Sequence, residues 1–392
     1  MKNLFKILLY ILLLSGCTSE KNEHKGVIDI VSGIKRNIKM PLSDITNDIA
    51  FIPLETKDEC IIGKIRLLSF FADYVIVIDD LPQILLFDKM GEYVRQIGSE
   101  GEFFSIYASV IVNNELFIWD IHLNSTLCYD LNTGKCIRTK KHDFLPSDVK
   151  HFKDSLLVYY SSISLHDRKI PFYCIHTLSL DFSKTDSLWI NREYQFVKNI
   201  YIDEGKVNTY LMNGNMYIWD SNIDTVFYLN NNFKREPGYQ FFLGKYTLSE
   251  NNRYNSHYIN HMKDNEFMIT RIMETNRFFF IEGLFGRYHA RNILYDKTTK
   301  KSRNIIFNLD LHDAGFHNDI DGSIPFWPKG QVSQNVLYDY ISPYELKKLM
   351  EDPYYKTIKF RDKEQNERIK NWLSSAKITD NPIIVLATIK NE

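Results

Sequence analysis

Two short stretches carry residues spaced for chemistry. Asp319-Ile320-Asp321-Gly322 alternates carboxylates ahead of a glycine, as the start of a Ca²⁺ loop does when oxygen ligands gather inside a sharp turn. Such a loop needs a bidentate Glu at its twelfth position, and that position is Gly330. A structural turn is therefore the favoured reading, with Ca²⁺ as the alternative. His257 and His261 stand four apart and would share a helix face as a pair of metal ligands. No Glu lies between them in the H-E-x-x-H sense, so two surface histidines are favoured and no metal site is assigned. Trp119 and Trp219 each precede an Asp and could form an aromatic platform for a sugar ring or a peptide side chain. Packing inside the fold is the competing reading and the favoured one, because buried aromatics dominate cores by area. Arg277 and Arg287, with His289 and Arg291, bring positive charge to one region, and Arg is a favoured interface anchor. Trp119, Trp219, Arg277, Arg287, Asp319 and Asp321 are thus the candidate binding residues. No G-x-S-x-G, P-loop or Rossmann glycine pattern is present, which removes the commonest hydrolase, NTPase and dehydrogenase readings.

Cys17 stands apart from the other four cysteines. Lys2 and Lys6 flank the start of the apolar run Ile7 to Leu14, and Leu14-Ser15-Gly16-Cys17 follows. A basic start, a short apolar stretch and small residues at a cut site make a secretory signal. The run is too short for a membrane span, which takes about 20 apolar residues. The L-S-G-C junction resembles the lipobox of bacterial lipoproteins, which implies cleavage after residue 16 and lipidation of Cys17. The resemblance further implies several acyl chains on that cysteine, hence a stable membrane anchor. Thr18 rather than Asp follows it, which by resemblance to sorting rules points to the outer membrane. Residues 17–26 are polar and read as a tether. Cys128 and Cys136 flank an expected hairpin turn; two free buried thiols are favoured over a disulfide. No C-x-x-C suggests zinc.

These features sit on a chain of 392 residues with formal net charge -1. That balance lacks the basic footprint of a nucleic-acid binder, so no nucleic-acid partner is expected. With 26 Phe, 24 Tyr and 5 Trp, the composition suits pleated, half-buried strands. A faint repeat confirms the direction. Residues 74–98, 115–139, 155–190, 215–229 and 277–307 share one plan: an apolar strand ending at a polar stop, a second strand that in four of the five ends in Asp, then a tight turn and a third strand. Asp79, Asp120 and Asp220 are equivalent at the first stop, and Asp88, Asp130, Asp181 and Asp296 at the second. An Asp before a turn bonds its own backbone two residues on, so these read as turn-makers rather than catalytic carboxylates. A repeat length of 40 to 50 residues with four strands per unit is the signature of a propeller, and a divergent sixth unit is needed to fill the C-terminal third.

The C-terminal third departs from the repeat. Ser342-Pro343 starts a short helix, with Ser as N-cap and Pro at the first helical position. Asp362 to Ser375 reads as a second helix with Ile369, Trp372 and Leu373 on its apolar face. Ile383 to Ile389 is expected as a final strand, pairing with an early strand at Val27 to Val31 or Ile49 to Leu54 to close the ring. The expected fold is all-β: a six-bladed β-propeller over residues 27–392, with a small helical insertion at about 342–376 in the last blade.

With the repeats in place, the chain resembles the six-bladed β-propeller lipoproteins related to NHL-repeat and TolB-like propellers. The match runs from about Ile49 to the end and rests on F-I-P-L-E-T at Phe51 to Thr56, I-I-G-K-I at Ile61 to Ile65, N-D-I-D-G at Asn318 to Gly322 and N-P-I-I-V-L at Asn381 to Leu386. Where the family has G-x-G-P-G-E-Y, this chain has Gly98-Ser99-Glu100-Gly101-Glu102-Phe103, without the proline. The resemblance implies fold and location and leaves activity open. Two function classes follow: a monomeric, non-catalytic binding or scaffold module at the envelope for a protein, peptide or glycan, or a propeller enzyme of lyase, lactonase or glycosidase type with its site at the central channel. The first is favoured because no paired carboxylates stand out from the repeat-borne Asp set.

Overall fold

The computed structural model describes residues 26–391 apart from 82, 100–101, 103–104, 121, 142–147, 160–174, 184, 189–206, 221–222, 231, 250–261, 307–314 and 354–356. The N-terminal run gives β1 (Gly26–Asp29), helix α1 (Val31–Lys35), β2 (Asn37–Ile38) and β3 (Thr46–Pro53). Four-stranded antiparallel blades then follow in chain order. The first holds β4 (Ile65–Phe71), β5 (Tyr74–Asp79), β6 (Ile84–Asp88) and β7 (Tyr93–Ile97). The second holds β8 (Ile106–Val112), β9 (Glu115–Asp120), β10 (Ser125–Asp130) and β11 (Cys136–Lys141). The third holds β12 (Asp148–Phe152), β13 (Ser155–Tyr159), β14 (Ile175–Ser179) and β15 (Thr185–Leu188). The fourth holds β16 (Val207–Met212), β17 (Asn215–Asp220), β18 (Thr225–Leu229) and β19 (Arg235–Phe242). The fifth holds β20 (Phe267–Glu274), β21 (Phe278–Phe285), β22 (His289–Asp296) and β23 (Lys301–Ile305). The sixth is built from β24 (Gly330–Ser333), β25 (Val336–Ile341), β26 (Ile383–Ile389) and, from the other end of the chain, β3. The fold is a six-bladed β-propeller.

Each blade is apolar on both faces, and alternation along a strand divides its side chains between two neighbours. In the first blade Val75, Val77, Leu85 and Phe87 pack toward the sixth, with Ile52, Leu54 and Ile384. Ile76, Ile78, Ile84 and Leu86 pack toward the second, with Ile106, Leu116, Ile118 and Leu127. Six such clusters fill the six interfaces between blades.

The repeat seen in the sequence is out of phase with the blades. Its units begin at the second strand of a blade and omit β4, β8, β12, β16 and β20, the strands nearest the axis. Those inner strands line the central channel with mixed polar and apolar side chains, so the apolar-strand-then-Asp plan passes over them. The Asp residues behave as turn-makers. Asp79 takes the amides of Gly63 (2.8 Å) and Leu81 (3.0 Å), and Asp120 those of Ser105 and Leu123 (both 3.0 Å). Asp88, Asp130, Asp181 and Asp296 each accept from backbone amides of the turn that follows.

Ring closure falls where the last strand was expected to make it. β26 pairs antiparallel with β3, Ile383 opposite Pro53 and Leu386 opposite Ala50. Of the two early segments offered as partners, Val27 to Val31 goes elsewhere: β1 adds in parallel to the outer edge of β19, and β2 to that of β23. The turn at Gly91 (φ 88°) docks onto the seam, so close that a Cβ would lie 2.1 Å from the Pro53 carbonyl oxygen. Asn381 locks the seam from beneath, accepting from the Ile62 amide (2.8 Å) and donating to the Glu55 (2.6 Å) and Cys60 (2.8 Å) carbonyls.

Helices α2 (Pro343–Glu351) and α3 (Lys363–Ser375) join β25 to β26. Ser342 and Glu345 form a reciprocal capping box on α2, and Asp362 caps α3. Ile369 and Leu373 are buried against the sixth blade, with Trp372 half-buried beside them. The helices are not confined to this insertion, because α1 packs against β22 and β23. Cys128 is buried, whereas Cys136 is exposed rather than buried as expected. A bulge after Cys128 sets Cys136 opposite Tyr129, so the two cysteines point to opposite faces of the blade and both are free. Burial pushes the Cys128 thiol up to about 12. Cys174 lies outside the described residues.

Candidate functional site

The two faces of the ring differ in their connections. On one, the first and second strands of a blade meet in two-residue turns: Ala72-Asp73, Asn113-Asn114, Lys153-Asp154 and Asn213-Gly214, each opening with a residue at φ near 50°. On the opposite face, where the inner strands begin, β19, β23 and β25 end, and the described segments 243–249, 262–266 and 315–329 and the helices α2 and α3 follow there. Function concentrates on loops held by a rigid frame, so this face is where a site is expected.

The channel opens there. All six inner strands line it, through Ser69, Ser109, Lys150, Thr209, Arg271 and Gln331 among others, around about 760 Å³. At the mouth it merges with a cavity of about 470 Å³ lined by Arg66, Asn208, Thr270, Arg271, Glu282, Lys329, Tyr338 and Tyr340 with Ile65 and Leu68. Backbone irregularities aim two of these residues. In β4 the register jumps from Ile65 to Leu67 and leaves Arg66 as the extra residue; in β20 it jumps from Ile269 to Arg271 and leaves Thr270. A bulge re-aims a side chain that regular pleating would send elsewhere.

Most charges at the mouth are already paired. Arg271 donates to Glu282 and to the carbonyls of Lys329 (2.6 Å) and Pro328 (2.8 Å), and Trp327 Nε1 donates to the same Glu282 oxygen at 2.9 Å. Lys329 pairs with Asp339 at 2.7 Å and lies over the Tyr340 ring. Burial pushes the Asp339 carboxyl up and Lys329 opposes it. Deeper in, Asp148 takes Lys150 at 2.9 Å and the Thr209 hydroxyl at 2.6 Å. Burial pushes the Tyr338 phenol up to about 12, so it remains a donor at neutral pH. Arg66 is exposed and, among the described residues, makes no hydrogen bond or ion pair.

Of the described residues singled out from sequence, none lies at this mouth. Trp119 is 2% exposed between the second and third blades, and Trp219 is 1% exposed between the fourth and fifth, its Nε1 on the Ile223 carbonyl at 3.0 Å. Neither indole offers a face to a ligand, which corrects the platform reading and supports packing. Arg277 bonds Asp296 (3.1 Å) at one end of β21, while Arg287 bonds the Met262 carbonyl (3.2 Å) beyond the other end, so they do not form one patch. Asp319 clasps Ser43 through its amide (2.9 Å) and hydroxyl (2.5 Å). Asp321 turns away into a buried knot with Asn318 and Ser323. The two carboxylates therefore face different partners rather than one ion. Among the described residues no three His, Cys, Asp or Glu side chains gather as a metal site. His257 and His261 lie outside the described residues. The signal that marks the mouth is a charge interrupting an apolar strand: Arg66 in I-R-L-L-S-F-F, Arg271 in F-M-I-T-R-I-M-E and Glu282 in F-F-F-I-E-G-L-F.

No curated protein matches this chain. Among solved structures it is similar to a Bacteroides fragilis protein inferred to be exported, at 18% identity and a TM-score of 0.69 over 93% of this chain and 99% of that one. It is also similar to virginiamycin B lyase from Staphylococcus aureus, at 7% identity and a TM-score of 0.40 over 67% of this chain and 75% of that one. The first likeness shows the shared propeller fold. Residues 25–388 match the domain of unknown function DUF4934, and the chain belongs to that family.

Proposed function

We propose that this protein is an outer-membrane lipoprotein, anchored through Cys17, that acts as a non-catalytic binding module for a protein, peptide or glycan. The observation that carries the binding role is the coincidence, on one face, of the described inter-blade segments, the helices α2 and α3 and the polar channel mouth. The carboxylates Glu282 and Asp148 each carry a fixed ion pair, which favours binding over the lyase, lactonase or glycosidase alternative. The anchor reading is supported by the L-S-G-C junction and by likeness to a protein inferred to be exported. The F-I-P-L-E-T and N-P-I-I-V-L segments support kinship with NHL-repeat and TolB-like propellers, and both lie at the ring closure.

Two measurements test this reading. Cys17→Ala should abolish acyl labelling and release the protein from the membrane fraction; unchanged labelling removes the anchor. Glycan and peptide arrays probed with the chain from Thr18 onward should give binding that Thr270→Trp, which fills the mouth, abolishes without lowering the melting temperature. Binding that survives this substitution, or turnover of the captured ligand, overturns the proposal.

A further inference from the structure

We propose that the channel mouth binds a polyhydroxylated carboxylate of the uronate type, with Arg66 taking the carboxylate. The inference rests on the binding-module reading and names its ligand class. Three cations and one carboxylate line the mouth: Arg66, Arg271, Lys329 and Glu282. Arg271 is held by Glu282 and two carbonyls, and Lys329 by Asp339 and the Tyr340 carbonyl. Among the described residues Arg66 alone of these three cations is left with its fork open, and the β4 bulge sets it at the rim. A guanidinium presents paired N–H groups that match a carboxylate edge to edge. A single open positive charge matches a monoanion, while Glu282 nearby disfavours a dianion such as phosphate.

The remaining polar groups suit hydroxyls. Asn208 accepts from the Ile272 amide at 2.9 Å through its oxygen, which leaves its Nδ2 as a donor. Glu282 is held through one oxygen, which leaves the other as an acceptor. Thr270, the extra residue of the β20 bulge, adds a hydroxyl that can serve either way. Tyr338 and Tyr340 line the mouth beside these groups and add apolar wall that the C–H groups of a sugar can meet. The cavity of about 470 Å³ is of small-ligand size. A neutral sugar would leave Arg66 unused, and a simple fatty acid would leave three polar groups without partners.

The test is calorimetry and ligand-observed NMR on the chain from Thr18 onward, with glucuronate, glucose, hexanoate and inorganic phosphate as probes. Glucuronate should bind, with glucose weaker by about tenfold or more, the loss expected for one charge-assisted contact, and hexanoate weaker by about the same factor or more because it leaves three polar groups without partners. Arg66→Gln should weaken glucuronate by about the same factor at unchanged melting temperature, and Arg66→Lys should restore part of it. Equal affinity for glucuronate and glucose, tighter phosphate binding, no glucuronate binding, or an unaffected Arg66→Gln each overturns the assignment. If glucuronate is ignored while array binding is still lost in Thr270→Trp, the ligand class is wrong and the binding module stands. If both fail, both readings fall.

Discussion

At the scale of single residues, the polar knot beneath α3 makes a pH-dependent prediction. Asp321 is fully buried; its Oδ1 takes the Ser323 amide and the Asn318 side chain, both at 2.8 Å, while its Oδ2 has no donor. Asn366, also buried, donates to the Asp321 carbonyl and leaves its own Oδ1 without a donor. Burial pushes the Asp321 carboxyl up, so the folded chain holds this proton to higher pH than the unfolded chain does. Stability from this group is fully present below the unfolded value of about 3.9 and falls as pH rises through the folded value. Asp321→Asn keeps the Oδ1 contacts and supplies a donor in place of the orphan oxygen. It should raise stability at pH 7 by about 1 kcal/mol. Its advantage should shrink toward pH 4, and melting curves across that range check this; a variant less stable at pH 7 refutes it. The Asp stops were legible in sequence because an Asx turn is local. Arg66 was not, because its placement depends on how β4 pairs with β5.

At the scale of elements, the N-terminal strap shows how one glycine sets a docking distance. Helix α1 lies on the fifth blade through Gly33, whose amide donates to the Ser302 hydroxyl at 2.9 Å. A Cβ there would lie 2.6 Å from the Ile293 Cγ2, 3.1 Å from the Ser302 Cβ and 3.2 Å from the Arg303 backbone nitrogen. Alanine gains at most about 1 kcal/mol of helix propensity. Overpacking against a backbone atom costs about 1–3 kcal/mol, so overpacking wins. Gly33→Ala should therefore destabilise the protein by up to about 2 kcal/mol. Proteolysis should open the strap first; a denaturation midpoint at or above that of the parent counts against this docking. The insertion helices were legible, since Ser342, Pro343 and Asp362 announce their starts. α1 was not: five residues with no side-chain cap form a helix only because the fifth blade is there to receive them.

At the scale of the whole molecule, stability depends on a seam joined by the two ends of the chain. Ile383, Ile384, Val385 and Ile389 are buried in it. Such side chains contribute about 1.5–3 kcal/mol each, so four of them supply about 6–12 kcal/mol. That is comparable with the whole net stability of an ordinary domain, about 5–15 kcal/mol. Removing residues 382–392 should unfold or aggregate the ring, checked by size exclusion and thermal melting; a monodisperse product melting within a few degrees of the parent shows that the seam is dispensable. The closure was legible because a β-branched apolar run at a terminus has to be buried. Its mirror, the parallel addition of β1 and β2 to outer edges, was not, because an edge announces itself only once the blade exists.

The seam also fixes an order of events in synthesis. β3 is made early, yet its partner in the sheet is β26, and Pro53 meets Ile383 only after roughly 330 further residues have been joined. At about 5–20 residues per second, that interval is on the order of 20–60 s. Throughout it, T-N-D-I-A-F-I-P is a strand without a sheet, and the first blade grows beside a wall that has not been built. The earlier blades can form in sequence, but the circle cannot shut until β26 arrives. A chain cut short between β25 and β26 would thus carry the other blades with open edges at the seam, a more adhesive product than one cut short early.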